Sequence, residues 1–550
     1  MCRRRLTKAS QNERVARCTF GTAKLACIAD SSTLWIGLAR PDRLRMAETP
    51  ITPSDERRAA ELHSRPLGSA AARSLAVGVA LMAAVGITTL NDGGFDPASQ
   101  SMFVALAGVA LLASCWLDGR AVSAGVRSQL ALALVGLAAL SLASTAWTVD
   151  GRTTALRAGL VVSAYAAVFA AAATLAKRTG PRPFAAAVAA LALIEAALGL
   201  HAVAMHSLPD AERIYGVWRP GGTFQYPPAL AVLEICALPA LSCLLDHRSL
   251  LVAGGAAATA TLAGATLGLS QSRLGLVMAA VLLALMVLRP ADERSQRVAA
   301  TATATLVAVG ALIAPTVLGG HVSAATHGAG WSGAAEIAGI AAALGVAWLL
   351  IRRAASRRIG RLLAAAGCIA AIALVTLAWP SDRGARSTST GYALHRSSPT
   401  PTQSDVLHGR GHEWRAALQT WSDHPLLGAG AGSYYTASSA HQGPAPTRYA
   451  HDLPLELAAE LGVVGLLLGA AMYASAARII ARALNTPGFW LLAPTLVAFL
   501  ASNLVDWTWH LAGLGALWAA AAGALWSGDH FADGHATGRS SARQLVKPRG

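Results

Sequence analysis

Charge is what this sequence has least of. Only 13% of its 550 residues are Asp, Glu, Lys or Arg, roughly half the share of an ordinary soluble domain. The length alone would allow three or four soluble domains, but so few charged side chains could not keep them in water. Amphipathic periodicity is also missing. The apolar residues fill long blocks that are apolar on every face, such as VAATATATLVAVGALIAPTVL, and a block of about 20 residues spans the hydrocarbon of a bilayer as a helix. Cysteine is sparse and scattered. Cys2, Cys18 and Cys27 lie in the polar N-terminal tail, Cys115, Cys236, Cys243 and Cys368 in apolar blocks, and no pair has metal-ligand spacing. No disulfide framework is expected. A secretory signal is missing too, because LACIADSSTLWIGLA is interrupted by Asp30 and two serines and runs into polar sequence. These absences exclude a soluble enzyme, a disordered chain and a coiled coil. What remains is an all-α polytopic membrane protein.

From residue 75 onward fourteen apolar blocks can be counted, near 75–90, 101–117, 129–147, 156–176, 184–206, 227–245, 250–269, 274–288, 298–318, 335–351, 362–379, 461–477, 489–505 and 511–527. Several are short or close together, so the expectation is 12–14 transmembrane helices. Trp116, Trp147, Trp348, Trp379, Trp490 and Trp526 fall at block ends, where an amphipathic ring prefers the headgroup layer. The formal net charge of +16 could be taken for a nucleic-acid footprint. With the N-terminus inside, however, the short inner loops hold sixteen Lys+Arg and the short outer loops five, so the positive charge orients the chain with both tails cytoplasmic. The expected organisation is a polar basic cytoplasmic tail over 1–74, transmembrane helices 1–11 over 75–379 and a long extracytoplasmic loop over 380–455. Transmembrane helices 12–14 follow over 456–527, then a cytoplasmic tail over 528–550. Met46 opens MAETPITPSDERR, a plausible second start that would make the first 45 residues an extension.

Long loops in compact domains usually carry function, so chemistry is sought in and around 380–455. Its first part, STSTGYALHRSSPTPTQS, is compositionally loop-like. HEWRAALQTWSDH then sets Trp414, Ala417, Leu418 and Trp421 on one helical face, suited to lying on a membrane surface, with Pro425 as its end. Arg219, Arg273 and Arg410 sit at or near outer boundaries, against the charge bias. Guanidinium forks bind phosphate oxygens in bidentate fashion and stay charged at every relevant pH. Together they would suit a lipid diphosphate; singly, each is equally a snorkelling headgroup contact. His451 precedes Asp452, a candidate N-cap with Pro454 in the first turn. The positive helix end would disfavour the imidazolium, and a neutral imidazole could take a proton from an attacking hydroxyl; the bland alternative is a hydrogen-bonded loop histidine. PLLGAGAGSYY is not a nucleotide loop, because Ser433 stands where the third glycine should be. His408 and His412 have the spacing of two zinc ligands on a helix, but Gly409 and Gly411 weaken that helix and no third ligand is evident, so no metal site is assigned. Glu195 and Glu234 lie within spans, where a carboxyl is either functional or satisfied inside the bundle.

Taken together these segments resemble the O-antigen ligase and polymerase-like membrane glycosyltransferases. AHDLPLELAAELGVVG matches a signature of His followed by Asn, Ser or Gln, nine residues, Gly, two residues and Gly, here His451, Gly462 and Gly465. GRGHEWRAALQTWSDHPLLGAGAGSYY is similar to the stretch before that histidine, with Arg410, Trp414, Pro425, Gly428 and Gly430 on family positions. RPGGTFQYPPALAVLEICALPAL, SQSRLGLVMAAVLL and Asp506-Trp507 resemble further family pieces. Two departures stand out: Asp452 replaces the usual Asn, and Tyr226-Pro227-Pro228 replaces Asn-Pro-Asn.

The resemblance implies an all-helical membrane fold that binds a polyprenyl-diphosphate-linked glycan, specifically undecaprenyl-diphosphate-linked oligosaccharide, at its extracytoplasmic face. The glycan would pass to a hydroxyl of a glycan, lipid or protein acceptor without metal, nucleotide or cofactor. Arg219, Arg273 and Arg410 would hold the diphosphate and His451 would activate the acceptor, with Trp414, Asp452 and Asp506 in support. The partners expected are thus donor, acceptor and membrane lipids, with no nucleic acid, and the location is the plasma membrane. A lipid-linked oligosaccharide flippase or other transporter using Glu195 and Glu234 is the competing class, and a divergent non-catalytic member is a third.

Overall fold

The computed structural model describes residues 69–214, 217–288, 294–322, 330–354, 410–442, 446–484 and 488–527, together with three strand segments within residues 14–38. Residues 1–68 and 69–550 are separate compact units. In the first, β1 (Arg14–Phe20), β2 (Ala23–Asp30) and β3 (Thr33–Leu38) pair as an antiparallel meander. They are short and mixed in polarity, which is why they do not stand out in the sequence.

The second unit is helical. Its first seven helices are α1 (Ser69–Met82, extended by a π-turn and a last turn to Leu90), α2 (Pro97–Val126), α3 (Gln129–Ala143), α4 (Arg152–Thr179), α5 (Arg182–Met205), α6 (Pro227–Leu245) and α7 (Leu250–Ser270). Next come α8 (Arg273–Leu288), α9 (Arg294–Val322), α10 (Gly330–Ala354), α11 (Arg410–Asp423), α12 (Leu453–Ala483), α13 (Phe489–Ser502) and α14 (Ala512–Ser527). Among the described residues ten helices are long and apolar enough to cross a membrane, and α8, α13 and α14 are shorter apolar helices. The chain is an all-α, multi-pass membrane protein. The expected block at 362–379 and the loop residues 380–409 lie outside the described residues.

Small residues allow the close approaches that hold such a bundle together where lipid supplies no hydrophobic drive. Gly264 of α7 packs so tightly on α9 that a Cβ there would stand 2.0 Å from the Val307 carbonyl oxygen. α6 is enclosed by its neighbours, with every residue from Ala229 to Ser242 buried. Short β4 (Ala211–Ile214) and β5 (Val217–Pro220) pair as a hairpin between α5 and α6.

Several connections meet at one end of the bundle. Thr223, before α6, donates its hydroxyl to the Thr89 carbonyl at the end of α1, and Gln225 donates to Asp92. The Leu453 amide at the head of α12 donates to the Asn503 carbonyl after α13. Val149, before α4, donates to the Ala429 carbonyl. Glu195 belongs to this scaffold: it accepts from the Thr223 amide and is in contact with the Thr223 hydroxyl, so its buried carboxyl anchors a turn.

The feature that orders this end is a break in α12. Gly462 takes φ +66, ψ −161, out of the helical region. The break frees carbonyls and an amide that the 425–430 turn satisfies: Ala429 and Gly430 donate to the carbonyls of Ala459 and Glu460, and Val463 donates to the Pro425 carbonyl. A Cβ at Gly462 would lie 2.2 Å from the Leu426 oxygen. Gly462→Ala is therefore expected to combine a positive-φ penalty of about 1–3 kcal/mol with undocking of the turn. Thermal unfolding of purified protein should show a clear loss of stability, while Gly108→Ala, where a Cβ meets nothing within 4 Å, leaves the transition unchanged.

Candidate functional site

Once docked, the 425–430 turn fixes α11 against the head of α12. Ala417 of α11 is buried with Tyr434, Ala450 and Ala459. The buried residues of α11 are Ala416, Ala417 and Thr420, whereas Leu418 is exposed. The face of Trp414, Ala417, Leu418 and Trp421 read from the sequence is thus divided: its Ala417, with Ala416 and Thr420, is buried, and its Leu418 stays exposed. Trp421 instead donates its indole N–H to the Pro425 carbonyl and caps the turn.

This packing sets Glu413 beside His451. The His451 Nδ1 is hydrogen-bonded to the Tyr449 carbonyl at 3.1 Å and lies 2.8 Å from the Glu413 carboxylate, off the ideal hydrogen-bond axis. Both partners accept, so Nδ1 carries a proton and Nε2 holds the lone pair in the neutral ring. His451 itself has φ +53, a conformation kept by its flanking bonds: Ala450 donates to Glu456 on one side, and the Asp452 carboxylate accepts from the Leu455 amide as the N-cap of α12 on the other. The helix's positive end is therefore answered by Asp452. Burial lowers the pKa of His451, but the adjacent Glu413 carboxylate, with a contribution from Asp506, outweighs burial and the opposing Arg410, and the net shift is upward. The sequence expectation of an imidazole held neutral by the helix end gives way to one whose charged form a carboxylate stabilises. Asp452, half-buried, has its own pKa raised mainly by burial.

Asp506 ties the other pieces together. It lies 3.6 Å from Arg410, accepts a 2.6 Å hydrogen bond from the Tyr226 hydroxyl and accepts from the Trp507 amide. Tyr226, where the family pattern has Asn, thus connects the head of α6 to the loop after α13. Arg410, His451 and Asp506 are brought together, close enough for the first and third to act on the imidazole. Arg219 stands on β5, paired across the hairpin with Glu212, eight residues before Pro227 at the α6 head. Arg273 opens α8, whose Gly275 abuts Ala231 of α6. These two arginines occupy elements at the same end of the bundle. Trp414 lies on α11 one residue past Glu413. His408 lies outside the described residues, and His412 contacts Arg415.

Sequence reading missed four contributors. Glu413 is adjacent to a named residue, but only the α11–α12 packing reveals its target. Glu456 pairs with His510, and its other oxygen holds the Ala450 amide. Tyr449 stacks between His510 (centroids 4.0 Å apart) and Trp507 (5.2 Å), and Trp507 in turn leans on Tyr226 at 4.5 Å. The only hint in the sequence was the density of Trp, His and Asp in VDWTWH at a span boundary.

The O-antigen ligase family model matches residues 332–470, the family that the sequence motifs resemble. The match contains Arg410, Trp414, His451 and Asp452 and leaves Arg219, Arg273 and Asp506 outside it. No curated protein matches the sequence. The geometry yields a direct expectation for His451: Glu413→Gln removes the dominant stabiliser of its charged form, so its titration midpoint falls. Acylation of individual histidines by diethylpyrocarbonate, which modifies neutral imidazole, followed by mass spectrometry across pH, should show His451 reacting at lower pH in the variant.

Proposed function

We propose that this chain is a membrane glycosyltransferase of the O-antigen ligase and polymerase type, acting on polyprenyl-diphosphate-linked oligosaccharide in cell-surface polysaccharide assembly. The observation that carries this reading is the tethering of His451 Nδ1 by Glu413 and the Tyr449 carbonyl beside the Arg410–Asp506 pair. That arrangement turns Nε2 into a defined proton acceptor next to a guanidinium.

In the proposed reaction Arg410, with Arg219 and Arg273 from neighbouring elements, neutralises the charge that develops on the departing diphosphate. Preformed cationic donors of this kind are among the largest contributions to transition-state stabilisation. At 3.6 Å the Arg410–Asp506 contact is an ion pair with donors to spare for phosphate oxygens. His451 Nε2 takes the acceptor hydroxyl's proton, and Glu413 stabilises the imidazolium, as a carboxylate does for histidine in hydrolytic triads. The residues in named roles need neither metal nor cofactor. The loop 380–455 and both ends of this cluster are read as extracytoplasmic, with the two tails cytoplasmic and the protein in the plasma membrane, on the strength of the arginine and lysine bias.

Purified protein supplied with undecaprenyl-diphosphate oligosaccharide and candidate acceptors is expected to transfer glycan in the presence of EDTA. His451→Ala should lower the rate by about 10²–10⁴-fold, the usual worth of a general base, with Arg273→Ala and Arg410→Ala also impaired. Because the base must be unprotonated and the pKa of His451 is raised above 6.5, kcat/KM should fall as pH drops through a midpoint above 6.5, and Glu413→Gln should move that midpoint down. Movement of the lipid across proteoliposomes without glycan transfer would establish the transporter reading instead.

A further inference from the structure

Beside the His451 cluster lies a second space, a chamber of about 610 Å³ between the heads of α2, α4 and α12, the end of α3 and the 431–436 turn. This volume falls within the ~300–1,000 Å³ typical of small-ligand sites. Arg219, Arg273, Arg410 and His451 are all absent from its lining, so the chamber is separate from the place assigned to the diphosphate.

Its charge argues against an anionic occupant. Three carboxylates, Asp96, Asp150 and Glu456, face two guanidiniums, Arg157 and Arg448, while Glu460 is taken up by the Gly432 and Tyr434 amides. Arg448 already lies over the rings of Phe95 and Tyr449 at 5.3 and 5.7 Å. A diphosphate entering here would meet an excess of like charge, which disfavours it in a partly desolvated space. Hydroxyl groups, in contrast, find acceptors in the carboxylates and an aromatic neighbour in the half-exposed Tyr435. Aliphatic side chains complete the lining, with Leu137, Val161, Leu457 and Leu461 contributed by α3, α4 and α12. The chamber therefore combines acidic, aromatic and apolar groups, the chemistry that suits an amphiphile with a neutral, hydroxyl-rich head. It also abuts the base: Tyr449 lines the chamber, and its carbonyl holds His451 Nδ1 two residues on.

We propose that this chamber is the acceptor site, receiving a neutral hydroxyl-bearing glycan on an apolar anchor while the donor diphosphate is held on the Arg410 side. The assignment rests on the transferase reading above. An acceptor hydroxyl presented past Tyr449 forms its bond to the anomeric carbon as the bond from that carbon to the diphosphate oxygen breaks. The electron pair leaves with the diphosphate, and the proton goes to His451 Nε2. The two substrates are bound together on opposite sides of the Tyr449–His510 stack.

The test uses full-length protein in nanodiscs, in a background with the native cysteines replaced by serine. Thr436→Cys places a thiol in the chamber lining, and Ser439→Cys, which is exposed and outside that lining, serves as the control. Maleimide labelling is followed with dodecyl maltoside as the neutral amphiphile and undecaprenyl diphosphate as the carrier. Dodecyl maltoside should slow Thr436→Cys labelling by about tenfold at ten times its Kd, leave Ser439→Cys unchanged, and undecaprenyl diphosphate should protect neither. Protection of Thr436→Cys by undecaprenyl diphosphate, or by neither probe, overturns the assignment whether or not the wild type transfers glycan. In the transfer assay, Tyr435→Ala and Asp150→Asn should raise the acceptor KM while kcat stays within about twofold, the pattern of lost uniform binding; a raised donor KM with unchanged acceptor KM is the contrary outcome. Absence of transfer by wild type refutes the transferase reading, and the labelling result stands apart from it.

Discussion

The break in α12 at Gly462 is the constraint on which the polar end of this protein depends. An unbroken helix would satisfy its own backbone and offer nothing to the turn at 425–430. Because Gly462 leaves the helical region, the carbonyls of Ala459 and Glu460 and the Val463 amide need partners, and the turn supplies them. That docking is what brings α11, and hence Arg410 and Glu413, to the head of α12, where His451 stands. Main-chain hydrogen bonds in a low-dielectric setting are costly to leave unmade, so the placement is firm although α11 contributes little apolar area of its own.

Around this joint the buried carboxylates are each given a task. Glu460 accepts from the Gly432 and Tyr434 amides, Glu456 from the Ala450 amide and His510, and Glu195 from Thr223. Each clamps a turn to a helix, which is why a chain with so few carboxyl side chains keeps them here. Glu234 is the exception: it is fully buried in α6, and among the described residues its carboxyl oxygens have no hydrogen-bond partner.

The helices were legible in the sequence because blocks apolar on every face admit few other structures, and thirteen of the fourteen coincide with helices of the described residues. The Asp452 cap was legible for the same reason: N-capping is local chemistry. Of the site, the sequence pointed to His451, Arg410 and Asp506 through their spacing and the family resemblance, and the structure gathers these three. It did not reveal Glu413 as the partner of His451, nor Tyr226 as the partner of Asp506, because each contact joins residues that only packing brings near. On α11 burial follows the small residues Ala416 and Ala417, not the large Leu418, which only the packing of the helix could show. Similarly, the positive end of α12 was expected to act on the imidazole, whereas Asp452 absorbs it and Glu413 decides the outcome.

The way the 425–430 turn is fastened has one more consequence. Its ties to α12 run through backbone amides and carbonyls, and what they require of the side chains is mainly that Gly428 and Gly462 have none. The other side chains of the segment are not engaged by these ties. A loop hung in this way lets its own outward side chains, such as the exposed Leu426 and Leu427, diversify without loosening its seat or shifting α11 on α12.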